Sequence, residues 1–317
     1  MALVSTKELL SRAADGGYIV GAFNVCNLET LGAVLNAARL ENAPVILQMS
    51  MGARKFVPSV PAFVALLQRM ARETPVPVAL NHDHCPTPQA AMEAIQWGFS
   101  GAMFDGSHLP YEENVRLTCE LSDWAHRRGA SIEAELGRLP GFEDEVFADN
   151  AEFTDPALAA RFVAQTGCDS LAVSVGTSHG GVLADGPLPL DFGVLAAIHE
   201  ALPGYPLVLH GAASLPQELI DGVNSLGGRV PPMRNCREAD IARTGRLGVC
   251  KANMDVDNFL CFTREVRRVL RSTPDKYDPR AYLLPAREAF SAQVRHKMRD
   301  VCGCAGKNWL RAGEGGQ

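Results

Sequence analysis

Short apolar runs alternate with helical stretches along the whole chain, and nearly every run ends on a polar side chain. Tyr18 to Phe23 ends at Asn24, Pro44 to Met49 at Ser50, and Val76 to Leu80 runs into Asn81, His82, Asp83, His84 and Cys85. Gly101 to Phe104 ends at Asp105, Ala130 to Ala134 at Glu135, and Leu171 to Val175 leads to His179. Pro206 to Leu209 ends at His210, and Leu247 to Ala252 ends at Asn253 and Asp255. Continuous apolar runs of this length predict strands buried on both faces. The segments between them carry helix punctuation. Ser5 and Glu8 read as a capping box. Asn27 precedes Leu31, Val34, Leu35 and Ala38 at helical spacing, while Thr87, Pro88 and Gly98 mark the start and stop of another helix.

Eight such β/α units with no linker-like tract predict one (β/α)8 TIM barrel over residues 1–317, with a doubly wound parallel sheet as the alternative. Active sites of the barrel lie at the C-terminal ends of its strands. Those ends carry Asn24, Ser50, Asp83, His84, Asp105, Glu135, His179, His210, Asn253 and Asp255. Loops are polar in general, yet Ser, Gly and Lys would be the common choice rather than histidines and carboxylates. Strand alternation puts His82 and His84 on one face and Asp83 on the other, up to the point where the backbone turns.

Composition narrows the partners. With 30 basic and 36 acidic residues the net charge is -6, which argues against nucleic acid and for a soluble protein, while leaving room for local basic sites that bind an anionic metabolite. No apolar stretch reaches the length of a membrane span, and the N-terminus has no signal-peptide pattern. Nine scattered cysteines, with Cys302 and Cys304 too close for an ordinary disulfide, read as reduced thiols of a cytoplasmic protein.

His84, His179 and His210 sit on strands three, six and seven, the last two in the tight-turn contexts TSHGG and LHGAA. Three converging imidazoles suit Zn2+ with a position left open for substrate. Such an ion either polarises a carbonyl and stabilises an enolate or activates water, so the carboxylates must decide between them. Asp83, beside His84, can exchange a proton with a substrate hydroxyl. Glu143, in the acidic loop GFEDEVFADN, can reach a proton next to the carbonyl. Glu135 and Asp105 are alternative metal ligands or partners of the ligands. His108, His126, His199 and His296 read as surface or loop histidines.

The motifs GAFNV, LQMSMGARKF, NHDHC, MFDGSH, EAELG, GTSHG, LVLHGAAS, KANMDVD and YDPR run in this order over nearly the whole chain. Jointly they resemble the class II, zinc-dependent ketose-bisphosphate aldolases, typified by fructose-1,6-bisphosphate aldolase. The resemblance implies a cytoplasmic lyase of glycolysis and carbohydrate metabolism that forms a homodimer or higher homo-oligomer. It would cleave fructose 1,6-bisphosphate reversibly to dihydroxyacetone phosphate and glyceraldehyde 3-phosphate through a zinc-stabilised enediolate. His84, His179 and His210 would hold Zn2+, with Co2+ or Mn2+ as alternatives and a monovalent cation nearby. Asp83 would handle the C4-hydroxyl proton and Glu143 the α-proton of the donor. Asn253 would orient the donor and Asp255 the sugar hydroxyls, with Asn24 beside them. Ser50 and Arg280 of the partner subunit would take the distal phosphate. Gly180, Gly211 and Ser214 would take the donor phosphate. Residues 256–305, with helices expected at Asp257–Ser272 and Arg280–Val301, resemble the family's C-terminal helical extension, and Gly227–Asp240 an insert of its longer subgroup.

Three positions depart from the family pattern. Ala213 stands where a phosphate-binding serine is usual, with Ser214 one step later. Leu183 replaces a lysine, and Val256 a threonine. Each lost hydrogen bond to a charged oxygen costs on the order of 1.5–3 kcal/mol. Either backbone amides near Gly180 and Gly211 hold the phosphate, or the donor differs. The rivals are therefore a zinc aldolase of a specialised pathway with another donor or acceptor aldehyde, a Schiff-base aldolase using Lys251, and a non-catalytic metal-binding barrel. The aspartate at position 255 favours the fructose over the tagatose branch, which tends to carry a small residue there.

Overall fold

Burial is unbroken along almost every strand, so each must be covered on both faces, and the chain meets that demand by closing a parallel sheet on itself inside a layer of helices. The computed structural model describes residues 2–139, 141–143, 146–148, 152–178, 189–233 and 236–310, with the backbone alone for 141–143 and 146–148. His179, Gly180 and Leu183 lie outside the described residues.

The first half of the chain runs α1 (Thr6–Gly16), β1 (Val20–Asn24), α2 (Leu28–Glu41), β2 (Val45–Met49), α3 (Met51–Phe56), α4 (Val60–Glu73), β3 (Val78–Cys85), α5 (Pro88–Trp97), β4 (Gly101–Phe104), α6 (Tyr111–His126) and β5 (Ser131–Leu136). A two-stranded antiparallel hairpin follows, β6 (Gly141–Glu143) and β7 (Val146–Ala148), in the stretch read from sequence as an acidic loop. The second half runs α7 (Pro156–Thr166), β8 (Ser170–Val173), α8 (Phe192–Ala201), β9 (Leu207–Leu209), α9 (Gln217–Ser225), α10 (Glu238–Thr244), β10 (Val249–Met254), α11 (Val256–Ser272) and α12 (Pro279–His296). The barrel closes in the order β1-β10-β9-β8-β5-β4-β3-β2 with all neighbours parallel. The (β/α)8 expectation holds, and the doubly wound alternative falls on this closure.

Local chemistry explains the boundaries. Asn27 accepts from Thr30 N at 2.8 Å while the Thr30 hydroxyl faces Asn27 N at 3.3 Å, a reciprocal cap. Thr87 caps α5 from Ala90 N, and Gly98 ends it at φ +105°. Ser5 accepts from Glu8 N at 3.0 Å and starts α1, whose Lys7 N–H bonds Ser131 at the base of β5. Asp255, rather than Asp257, caps α11. Helix α12 ends at His296 and continues as a π turn over Lys297–Val301, so the predicted helix to Val301 changes pitch at its end. The C-terminal helices pack back on the barrel's own layer, α12 on α2 and α11 and α11 on α9. Arg295 reaches Glu41 at 2.6 Å, and Ile19 N donates to Cys302 O.

The barrel's inner face departs from an ordinary core. Register alignment sets Gln48 beside Asn81, Met103 beside Glu133, and Lys251 beside Val208. Met103, Ala172 and Val208 form a small apolar floor. Within the same barrel Lys251, fully buried, meets both oxygens of Glu133 at 2.7 and 3.0 Å. Removing one partner of such a buried pair strands the other charge. Lys251→Met should therefore lower unfolding stability by about 3–5 kcal/mol, and Lys251→Met combined with Glu133→Leu should cost much less. Urea titration of the three proteins checks this; a Lys251→Met curve overlying that of the parent would show that the pair carries no such constraint.

Candidate active site

Period-two alternation carries the polar residues inward in register: Asn81 and Asp83 on β3, Glu133 and Glu135 on β5, and Lys251 and Asn253 on β10. Strand β3 breaks the rule at its end. His84 has φ +41°, a left-handed conformation uncommon outside glycine, and the β3–β4 register shifts between His82 and Cys85. This corrects the expectation that His82 and His84 share a face. His82 packs edge-on against Phe99 at 5.4 Å with Nδ1 near Cys85 Sγ, and burial, reinforced by the Arg54 charge, pushes its pKa down to about 4. His84 instead turns toward Asp83, with Nε2 4.0 Å from Asp83 Oδ2.

The centre of the site is the meeting of His84 and His210. Their nitrogens, His84 Nε2 and His210 Nδ1, lie 2.7 Å apart, and the rings are nearly perpendicular. Each ring's other nitrogen faces a carboxylate: His210 Nε2 with Glu133 Oε1 at 2.8 Å and His84 Nδ1 with Asp105 Oδ2 at 3.1 Å. Burial alone would raise Asp105, but hydrogen bonds from His84 and Ser107 outweigh it and hold the carboxyl below the usual range. If each outer ring nitrogen donates to its carboxylate, the neutral rings turn the lone pairs of their facing nitrogens toward each other. Asn253 Nδ2, 3.2 Å from His210 Nδ1, donates to the same lone pair.

Two ring nitrogens at that separation require a proton or a metal ion between or beside them. Imidazoles steadied by carboxylates on their far side are what metal-binding histidines use. Asp83, His84 and His210 converge closely enough to share one ion, and His84, Asp105 and Glu135 form a second, overlapping group. The donor set fits a divalent metal of the zinc type. Glu135 is buried, and desolvation with the Asp105 charge beside it raises its carboxyl well above the ordinary range.

Around these groups Asp83 is held by Gln48 Nε2 at 2.9 Å and by Asn253 Nδ2 at 3.2 and 3.3 Å. Asn24 Nδ2 donates to Asp255 Oδ2 at 3.3 Å, and Asp255 Oδ1 accepts from Val256 N at 2.6 Å. Gly211 has φ +59°, and a Cβ there would come 2.3 Å from Ser178 O. Only glycine thus allows the segment entering position 179 to lie against the turn after His210. Ser50 caps α3 from Ala53 N. Glu143 belongs to hairpin strand β6. Arg280 lies apart at the start of α12, 90% exposed and paired with Asp278 at 2.6 Å.

Two sequence readings need correction. Ser214 is no open ligand: its hydroxyl donates to Glu238 Oε1 at 2.9 Å and accepts from Lys297. Lys251 is no free amine for a Schiff base, being wholly buried against Glu133. Gln48 and Glu133, which the sequence reading did not single out, contact Asp83 and His210. Glu133 shares strand parity with Glu135, and that parity was the available signal.

The Fructose-bisphosphate aldolase class-II family model matches residues 4–307. A fructose-bisphosphate aldolase of Treponema pallidum is 41% identical over 97% of this chain and 98% of that relative. One of Thermus caldophilus is 41% identical over 96% of this chain and 99% of the relative. Among solved structures, the YdjI aldolase of Escherichia coli K12 superposes with a TM-score of 0.76 at 29% identity, covering 96% of this chain and 99% of that one. A putative fructose-1,6-bisphosphate aldolase of Coccidioides immitis gives a TM-score of 0.77 at 29% identity, covering 95% and 97%. With the closed parallel barrel and its paired histidines, this full-length similarity means that the chain belongs to the class II fructose-bisphosphate aldolase family, whose members are aldehyde-lyases.

Proposed function

We propose that the protein is a zinc-dependent aldolase that reversibly cleaves fructose 1,6-bisphosphate to dihydroxyacetone phosphate and glyceraldehyde 3-phosphate, working in the cytoplasm as a homo-oligomer. The observation that carries this reading is the pair of facing imidazole nitrogens, 2.7 Å apart, with Asp83 4.0 Å from one of them. His84 and His210, with His179 as the third ligand, would hold the ion, which when bound supplies a Lewis acid for the substrate's carbonyl oxygen.

The chain's own groups supply the proton transfers and the orientation. Asp83 takes the proton from the C4 hydroxyl as the C3–C4 bond breaks; the amides of Gln48 and Asn253 fix the direction of its oxygens. Glu143 returns a proton to the donor carbon. Asn253 spans the Asp83 and His210 sites, and its Oδ1 lacks a hydrogen-bond partner among the described residues, which suits a substrate hydroxyl. Asp255, steadied by Asn24, meets the sugar hydroxyls. Ser50 and Arg280 of the partner subunit take the distal phosphate; the exposure of Arg280 supports its use across an interface. Glu135 and Asp105 offer an alternative seat for the ion beside His84. Among the described residues no helix is long and apolar enough to cross a membrane.

A second reading, an aldolase with a different donor, draws on two observations. The Ser214 hydroxyl is already engaged, and the Val256 N–H that would meet a donor phosphate is donated to Asp255.

Two outcomes are expected. Purified protein should cleave fructose 1,6-bisphosphate, lose the activity to a chelator and regain it with zinc. Asp83→Ala should lower kcat by about 10²–10⁴-fold with metal content unchanged. A coupled assay of triose phosphate release checks both; a zinc-loaded protein inert toward this substrate yet active on another hydroxyketone and aldehyde pair would select the second reading. Separately, Glu133→Gln should weaken metal binding about 10–100-fold, read by competition with a chromogenic chelator. Unchanged affinity would mean that Glu133 does not support the His210 ligand.

A further inference from the structure

Lys297 lies outside the site just described and is wholly buried, an unusual place for an ammonium. It opens the π turn at the end of α12, a geometry that turns the consecutive Lys297 and Met298 side chains inward together, 0% and 1% exposed. Its ammonium meets three oxygens on three separate segments, donating to the Ser214 hydroxyl and to Glu238 Oε1 at 2.7 Å and forming an ion pair with Asp257 Oδ2 at 2.7 Å. Glu238 Oε1 also accepts from Ser214, and Glu238 Oε2 meets His296 Nε2 at 2.9 Å. Asp257 itself is fully buried.

Burying an ammonium with two carboxylates is a poor way to gain stability, because apolar residues of similar volume do as well. What such a cluster adds is fixed geometry among the segments it joins. Here those segments matter. Ser214 lies in the turn that follows β9 and His210, and Asp257 in the first turn of α11, which follows β10 and its capping residue Asp255. One ammonium therefore ties together the two stretches of chain leaving adjacent strands at the mouth of the barrel.

We infer that Lys297 is a positioning residue for the known site, holding the turn at 211–215 and the start of α11 in one register so that their backbone amides and Asp255 face the donor half of the substrate. This rests on the aldolase reading for its kinetic consequence, though not for its structural one. It also explains why Ser214 is present without serving as a phosphate ligand: its hydroxyl is the turn's anchor to Lys297.

The test uses the full chain loaded with zinc. Lys297→Met should raise amide hydrogen exchange about tenfold or more in peptides covering 211–215 and 256–260, with β1 to β5 unchanged. In the condensation direction it should raise KM for dihydroxyacetone phosphate by about tenfold and leave KM for glyceraldehyde 3-phosphate unchanged. Ser214→Ala, which keeps the Lys297–Asp257 pair, should loosen 211–215 alone and serves if Lys297→Met does not fold. Exchange that stays at parental levels in both peptides, or that rises evenly over the whole barrel, would overturn the inference. A parent protein with no condensation activity would refute the aldolase reading instead, and the exchange data would still decide the role of Lys297.

Discussion

The site hangs on one buried carboxylate. Glu133 accepts from Lys251 on one side and from His210 on the other, and neither contact can be exchanged for water. Because Glu133 accepts from Lys251 and faces His210 Nε2, a neutral His210 that donates from Nε2 has its Nδ1 lone pair aimed into the barrel mouth. Asp105, at the end of the neighbouring strand β4, stands in the same relation to His84. The two imidazoles are thus prepared by their far-side partners before any ion arrives. Asp83, held by two side-chain amides, stands next to them as the group proposed to move a proton.

Much of this could be read from the sequence because parallel strands have a fixed alternation and the barrel has a fixed functional end. Those two constraints identified Asp83, His84, His210, Asn253 and Asp255 as neighbours across strands separated by up to 170 residues, as in the Asn253–Asp83 contact. They failed where the backbone leaves regular geometry. The left-handed His84 reverses the alternation at one residue, which no count of positions foresees. Hairpin β6–β7 was missed because its strands are three residues each, too short for a periodicity. Glu133 and Gln48 were overlooked because a polar residue inside an apolar run looks like an interruption, although here it is the inner lining.

The C-terminal helices carry a second lesson. From sequence they are amphipathic segments following the last strand, and their family resemblance suggests an arm for subunit association. In the fold they also reach inward: α12 lies on α2, and Lys297 at its end enters the barrel's upper edge to meet Ser214 and Asp257. The substitution pattern around the donor phosphate then has a physical context. Ser214 is engaged by charged partners rather than open to a ligand, so on the proposed function a donor phosphate would rest on backbone amides, whose placement the inferred role of Lys297 would govern.

X-ray absorption at the zinc edge of the loaded protein tests the central claim most directly, that the prepared imidazoles are metal ligands. The account predicts nitrogen scatterers at about 2.0–2.1 Å with the outer-shell pattern of imidazole, diminished by one ring in His210→Ala. Sulfur scatterers at about 2.3 Å would contradict it, since they would move the ion to cysteines such as Cys85 beside His82 and away from His84 and His210.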